Sequence, residues 1–147
     1  MKLDDINLML VRHLREGRKS LGVIAKALGI TTNTVRSRLA KLDQDGVLTI
    51  RGLVNPDQID GHMLVVIGIK LATPRLVDGA EKFNQLKGVA SVVVVTGRFD
   101  LLVTVLLNDQ FGLTEFYAEE VSKIDEVLST ETFVVYKNLN CHVPYVL

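Results

Sequence analysis

Gly29-Ile30-Thr31-Thr32-Asn33-Thr34-Val35-Arg36-Ser37-Arg38-Leu39 reads as a tight turn feeding a helix. Gly29 offers the left-handed residue that a close exit from a preceding helix needs. Thr31 stands as an N-cap, and Val35, Leu39 and Leu42 fall at i, i+4 and i+7, one apolar stripe of a helix that Gly46 stops. Toward the N-terminus, Ser20 caps a shorter helix whose apolar positions are Val23, Ile24, Ala25 and Leu28. Earlier still, Asp4 and Asp5 sit where a helix dipole favours acids, and Ile6, Leu10 and Leu14 carry a first helix to about Arg15, ended by Gly17. Ala25 is small enough to let the second and third helices approach, and Val35 plugs the angle between them. Three short helices with a turn of about three residues before the last form a helix-turn-helix.

The charge distribution separates this segment from the rest. Over 147 residues the formal net charge is zero, yet residues 1–55 hold ten Lys or Arg against five Asp or Glu, and residues 56–147 hold seven against twelve. Gly17 to Leu42 contains Arg18, Lys19, Lys26, Arg36, Arg38 and Lys41 and no acid, a footprint suited to a phosphate backbone. With Val35, Leu39 and Leu42 facing the protein, a wheel of about 100° per residue turns Asn33, Arg36, Ser37 and Ala40 outward. Arg36 can fork onto guanine O6 and N7, and Asn33 can pair with adenine, so these two are the expected base readers on double-stranded DNA. Thr34 and Ser37 are adaptable neighbours, while Thr32, Arg38 and Lys41 suit phosphate contacts.

Val47 to Val54 alternates weakly and reads as a strand or minimal wing, and Asn55, Pro56, Asp57 and Gly61 mark a linker. Past it, strands alternate with helices: Met63–Leu71 (strand), Leu76–Leu86 (helix), Ala90–Val95 and Leu101–Leu107 (strands), Leu113 to about Ile124 (helix) and Val127–Tyr136 (strand). Leu76 precedes Val89 by 13 positions and Leu113 precedes Val127 by 14, an internal echo. That order is the ferredoxin-like α/β sandwich. The expected class is therefore α+β: a winged helix-turn-helix domain over 1–50, a linker over 51–62, a sandwich over 63–137 and a tail over 138–147. Val92 to Val95, Val65 to Ile67 and Leu101 to Val103 are apolar on both faces, so a second copy is expected to cover the face that the helices leave open.

Composition removes several classes. Apolar residues at 48% and charged residues at 23% are globular. No apolar run reaches the roughly 18 residues of a membrane span. Asp4, Asp5 and Asn7 interrupt any signal peptide, so a cytoplasmic protein is expected. Cys141 is the only cysteine, which excludes an intramolecular disulfide, and its neighbour His142 is read as an unrelated side chain, as are the isolated His13 and His62. No metal, cofactor or catalytic constellation is expected.

The ordered set Leu3-Asp4-Asp5-Ile6, Gly29 through Leu39, Leu42-Asp43-Gln44-Asp45-Gly46-Val47 and Thr96-Gly97-Arg98-Phe99-Asp100-Leu101 resembles the leucine-responsive regulator family (Lrp/AsnC, or feast/famine) over nearly the whole chain. Asp43 stands where the family usually has glutamate, and Thr32 where it often has proline. The resemblance implies a transcription regulator that forms homodimers and higher oligomers, with Thr96 to Asp100 lying at a contact between dimers and binding a small effector, often an amino acid. By chemistry alone the loop is a hairpin turn in which Gly97 supplies a positive φ and Asp100 bonds local amides. The same groups suit an amino acid, exposed amides holding its carboxylate and Asp100 its ammonium. Arg98 either pairs with Asp100 or selects a ligand of different charge. Two other functions share the layout: an enzyme like the sirohaem decarboxylases, which resemble this two-domain arrangement, and an architectural DNA-binding protein with no effector.

Overall fold

A computed structural model describes residues 3–15, 17 and 19–147; Arg18 of the basic stretch lies outside them. The chain divides into two compact units, Met1–Arg51 and Gly52–Leu147. The first holds α1 (Asp5–Leu14), α2 (Leu21–Leu28) and α3 (Thr32–Gln44). Each helix begins on a side-chain cap: the Asn7 N–H donates to Asp4 at 2.7 Å, Val23 to Ser20 at 3.4 Å and Thr34 to Thr31 at 3.1 Å. Such caps contribute about 1 kcal/mol each. Gly29 leaves α2 at φ +65°, and its N–H reaches back to the carbonyls of Ala25 and Lys26. Leu10, Ile24, Ala25 and Val35 form the buried centre, packed round by Ile6, Leu14, Leu28, Ile30 and Leu39.

The strand or wing expected over Val47–Val54 is not a regular strand. Residues 47–53 carry no regular element, and Val54 makes one isolated bridge, to Val143. The cause is burial: Val47, Ile50 and Leu53 all remain exposed, so the alternation finds no neighbouring strand to pack against.

The second unit is a four-stranded antiparallel sheet in the order β2-β3-β1-β4, built from β1 (His62–Leu71), β2 (Val89–Val94), β3 (Leu101–Asn108) and β4 (Val127–Val134). Two helical segments, α4 (Leu76–Asn84) and α5 (from Leu113 to Lys123), complete the ferredoxin-like βαββαβ sandwich. Strand alternation decides the faces. Val65, Ile67 and Ile69 of β1 and Leu101, Val103, Val105 and Leu107 of β3 bury against Phe83 of α4 and Phe116 and Val121 of α5. Gly79 lets α4 close onto this face, since a Cβ there would fall 2.5 Å from Leu71.

The expected single helix from Leu113 is wound unevenly: α over Leu113–Glu115, π over Phe116–Glu120 and 3-10 over Val121–Lys123. Phe116 and Val121, five apart, are both buried. A regular α-helix would point residues at that spacing about 140° apart. The wider turn brings both rows into the core, the usual setting of a π-bulge.

The opposite face is only partly covered. Leu64 and Leu106 lie beneath Val143, joined by Val54, Val135 and Val146. The segment after 137 is therefore packed structure rather than a loose tail, and the linker residues around Val54 pack with it. Beyond this patch Val66, Leu102 and Thr104 are half-buried, and Val93 and Phe133 are 50% and 44% exposed.

Candidate nucleic-acid interface and effector loop

The exposed face of α3 carries Thr32, Asn33, Arg36, Ser37, Ala40 and Lys41, while Val35 and Leu42 are buried and Leu39 half-buried. Helical spacing thus puts the polar residues of the sequence reading on one side. The Arg36 guanidinium donates to the Asn33 carboxamide at 3.0 Å, which aligns the two expected base readers along one row. Thr34 is half-buried and its hydroxyl is 2.8 Å from that of Thr31, so it belongs to the cap as much as to the surface. Ser37 donates to the Thr34 carbonyl at 3.1 Å. Lys41 pairs with Asp45 one turn on at 3.1 Å and stays exposed.

Arg38 differs from its expected place on a free flank. Its guanidinium donates to the Asp4 carboxylate at 2.6 Å and to the Asn7 side chain at 3.0 Å. Asp4 in turn caps α1, so one carboxylate serves both the helix start and the cation of α3. Arg38 and the Asn7 N–H together hold the Asp4 carboxyl below its ordinary pKa. Arg38 therefore ties α1 to α3, and its charge is already met by Asp4 before any phosphate approaches.

In the second unit, Thr96 to Asp100 connects β2 to β3. Gly97 has φ +134° and is open to solvent, which fits the hairpin reading. Asp100 does not bond the amides of its own turn through its side chain. Its carboxylate accepts from the Lys70 ammonium at 2.7 Å and from the Leu71 N–H at 2.8 Å, both on β1. The Lys70 ammonium first, and the Leu71 N–H second, lower its pKa. Arg98 likewise does not pair with Asp100; it meets Glu131 of β4 at 2.7 Å and overlies the Phe99 ring at 5.3 Å. Phe99 lies over Gly68 and meets Phe133 edge-on at a centroid distance of 6.1 Å. The loop is thus fastened to β1 and β4 by three consecutive side chains.

Sequence reasoning missed Lys70, Glu131 and Gly68. Lys70 had a signal, being the one charge in the apolar run of β1, and Gly68 interrupts the same run. Glu131 had none. Among the described residues no group of three or more His, Cys, Asp or Glu is placed to hold a metal ion, and Cys141 is a free, exposed thiol. No helix of the described residues is long and apolar enough to cross a membrane.

A family model described as the Lrp/AsnC ligand binding domain matches residues 64–145, and one described as a winged helix-turn-helix DNA-binding domain matches residues 3–49. An uncharacterised HTH-type transcriptional regulator of Pyrococcus furiosus is 30% identical over 135 residues, covering 90% of this chain and 91% of the relative. The structure of Escherichia coli AsnC is similar with a TM-score of 0.73 and 26% identity, covering 96% of this chain and 97% of that one. A feast or famine regulatory protein from M. tuberculosis, complexed with L-methionine, shares the fold with a TM-score of 0.76 and 23% identity, over 95% of this chain and 96% of that one. A capped α3 with an acid-free outer face in its N-terminal part, a ferredoxin-like sheet and full-length similarity to these regulators make this chain a DNA-binding transcription regulator of the Lrp/AsnC family.

Proposed function

We propose that the chain reads specific DNA sequences through α3 and that a small metabolite, an amino acid, tunes this binding from the β2–β3 loop, with no catalytic step of its own. The observation that carries the DNA reading is the outer row of α3, where Asn33 and Arg36 are exposed side by side and Lys41 flanks them. Asn33 and Arg36 read base edges, and Thr32 and Lys41 hold phosphates. Two copies associate in the cytoplasm through the uncovered sheet face around Val66, Val93, Leu102 and Phe133, which presents two reading helices to a two-fold site.

The effector is held by Thr96, Gly97, Arg98 and Phe99, with Asp100 fixing the loop from below. Because Asp100 is already neutralised by Lys70, the ammonium of an amino acid is better served by Glu131. Arg98 and Glu131 form a matched pair that a zwitterion can enter, its carboxylate taking the guanidinium and its ammonium the carboxylate. Arg98 is 77% exposed, so the exchange needs little rearrangement. Dimers meeting at this loop then couple effector binding to DNA through the geometry of the assembly.

The test is a selection of binding sites from random double-stranded DNA by the full chain, followed by titration of the amino acids, L-methionine first. Preferred sites should emerge, and one amino acid should shift affinity for them by about 5- to 150-fold, the range of a typical coupling energy. Equal binding to all sequences with no amino-acid response would instead favour an architectural protein.

A further inference from the structure

Asn138 is 7% exposed, and its carboxamide makes three hydrogen bonds. Its Nδ2 donates to the Asn55 side chain at 3.1 Å and to the Cys141 carbonyl at 2.6 Å, and its Oδ1 accepts from the Cys141 N–H at 2.6 Å. Its own backbone N–H donates to the Asp57 carboxylate at 3.1 Å, which Lys137 also approaches at 3.6 Å. Two backbone bonds between Val54 and Val143, at 2.8 and 3.0 Å, continue the seam. Asn55 itself caps the 3-10 turn Pro56–Gln58 by accepting from the Asp57 N–H at 3.1 Å. One buried carboxamide thus joins the stretch just after the helix-turn-helix unit to the end of the chain, 83 residues away. Burying an amide is costly unless every group is paired, so a knot of this kind holds one conformation rather than several.

We infer that Asn138 is a positioning residue for DNA binding: by pinning residues 54–57 to the C-terminal segment, it fixes the point from which each reading unit is tethered, and so selects the spacing of the two half-sites that a dimer engages. This rests on the dimeric DNA-binding reading above. The physical basis is effective concentration. When two linked modules bind two sites, the second event is favoured only if the tether spans the gap, and lengthening a tether both relaxes the geometric demand and dilutes the second module. Releasing the seam would move the start of the tether from Val54 toward His62, the first residue of β1, adding up to eight residues to each arm. Extended, that length reaches about 26–29 Å, most of a DNA turn of about 34 Å.

The experiment uses the full-length chain and DNA sites selected from a random pool by the wild type, rebuilt with the half-site spacing changed by about five base pairs, half a helical turn. Wild type should lose about tenfold or more in affinity on the shifted spacing, whereas Asn138→Ala should lose less than about threefold and bind a single half-site as the wild type does. Hydrogen exchange at the amides of Val54 and Asp57 should accelerate in the variant while those of β1 and β3 stay protected. Should Asn138→Ala fail to fold, Asn55→Ala removes the linker's acceptor and leaves both bonds to Cys141; it makes the same spacing comparison, with exchange read at Val54 because Asn55 is itself the acceptor of the Asp57 N–H. Unchanged exchange at residues 54 and 57, or the same spacing preference as wild type, overturns this inference alone. A wild type that selects no DNA overturns the reading on which it rests as well, even if the exchange result shows the seam itself to be released.

Discussion

The ring of Phe99 lies against Gly68 so closely that a Cβ on residue 68 would fall 2.6 Å from it. A glycine in the middle of a buried strand weakens the strand, and here the close approach of an aromatic ring explains it. The same ring meets Phe133 and lies beneath Arg98, so the glycine shapes the loop from the strand directly under it, on the same face of the sheet. Gly68→Ala should force Phe99 out of its seat at a cost of about 1–3 kcal/mol, the range of overpacking. Chemical denaturation measures the cost, and Phe99 ring shifts by NMR should show where it falls. An unperturbed ring would mean that the loop yields without consequence.

Asp100 and Lys70 make a pH-dependent prediction. A carboxyl whose pKa is depressed in the folded state contributes stability that is fully present above its unfolded value, about 3.9, and is lost as the pH falls through the lower folded value. Lys70→Met should return the Asp100 titration toward the ordinary carboxylate range and flatten the pH dependence of stability in that acidic window. Carboxyl-detected NMR titration follows the first, and denaturation at a series of pH values the second.

Arg38 and Lys41 should behave differently although both are cations of α3. Lys41→Ala should weaken binding to all DNA sequences alike and reduce the slope of log affinity against log salt by about one unit. Arg38→Ala should leave that slope nearly unchanged and lower the thermal stability of the helical unit, because its partners are Asp4 and Asn7. Asp4→Asn, which releases Arg38 toward the backbone, should raise the slope. Affinity measured between about 50 and 200 mM salt separates the three variants.

Val93 and Val94 are adjacent but face opposite ways: Val93 pairs with Leu102 on the uncovered face, Val94 with Leu101 on the helix side of the edge strand. Val93→Asp should therefore break the dimer, a buried unpaired charge costing about 3–5 kcal/mol, whereas Val94→Asp should leave the assembly largely intact. Sedimentation of the full chain at micromolar concentration distinguishes them. Equal effects would place the contact elsewhere.

The features legible in the sequence act over short distances. Ser20, Thr31 and Asp4 cap amides three residues on, Gly29 turns the chain where it stands, and strand alternation sorts β1 and β3 into faces without knowledge of any partner. The illegible features join residues far apart: Arg38 to Asp4 across 34 positions, Lys70 to Asp100 across 30, Asn138 to Asn55 across 83. No periodicity marks such pairs, since each partner taken alone reads as a solvated polar residue. The alternation over Val47–Val54 misled for the complementary reason, a strand pattern having no meaning without a neighbouring strand. In the loop, Gly97 and the turn were legible, but the charge pairing was not. Asp100 and Arg98 are two residues apart, and each finds its counter-ion on another strand.

Reading of DNA bases by the outer row of α3 is tested by selecting binding sites from random DNA with the parent and with Arg36→Ala in parallel. The variant should lose preference at one base pair of each half-site, with affinity for the parent's best site falling by about 1–3 kcal/mol, while the remaining positions and the salt slope are kept. Identical sequence preferences and affinities in parent and variant would contradict it.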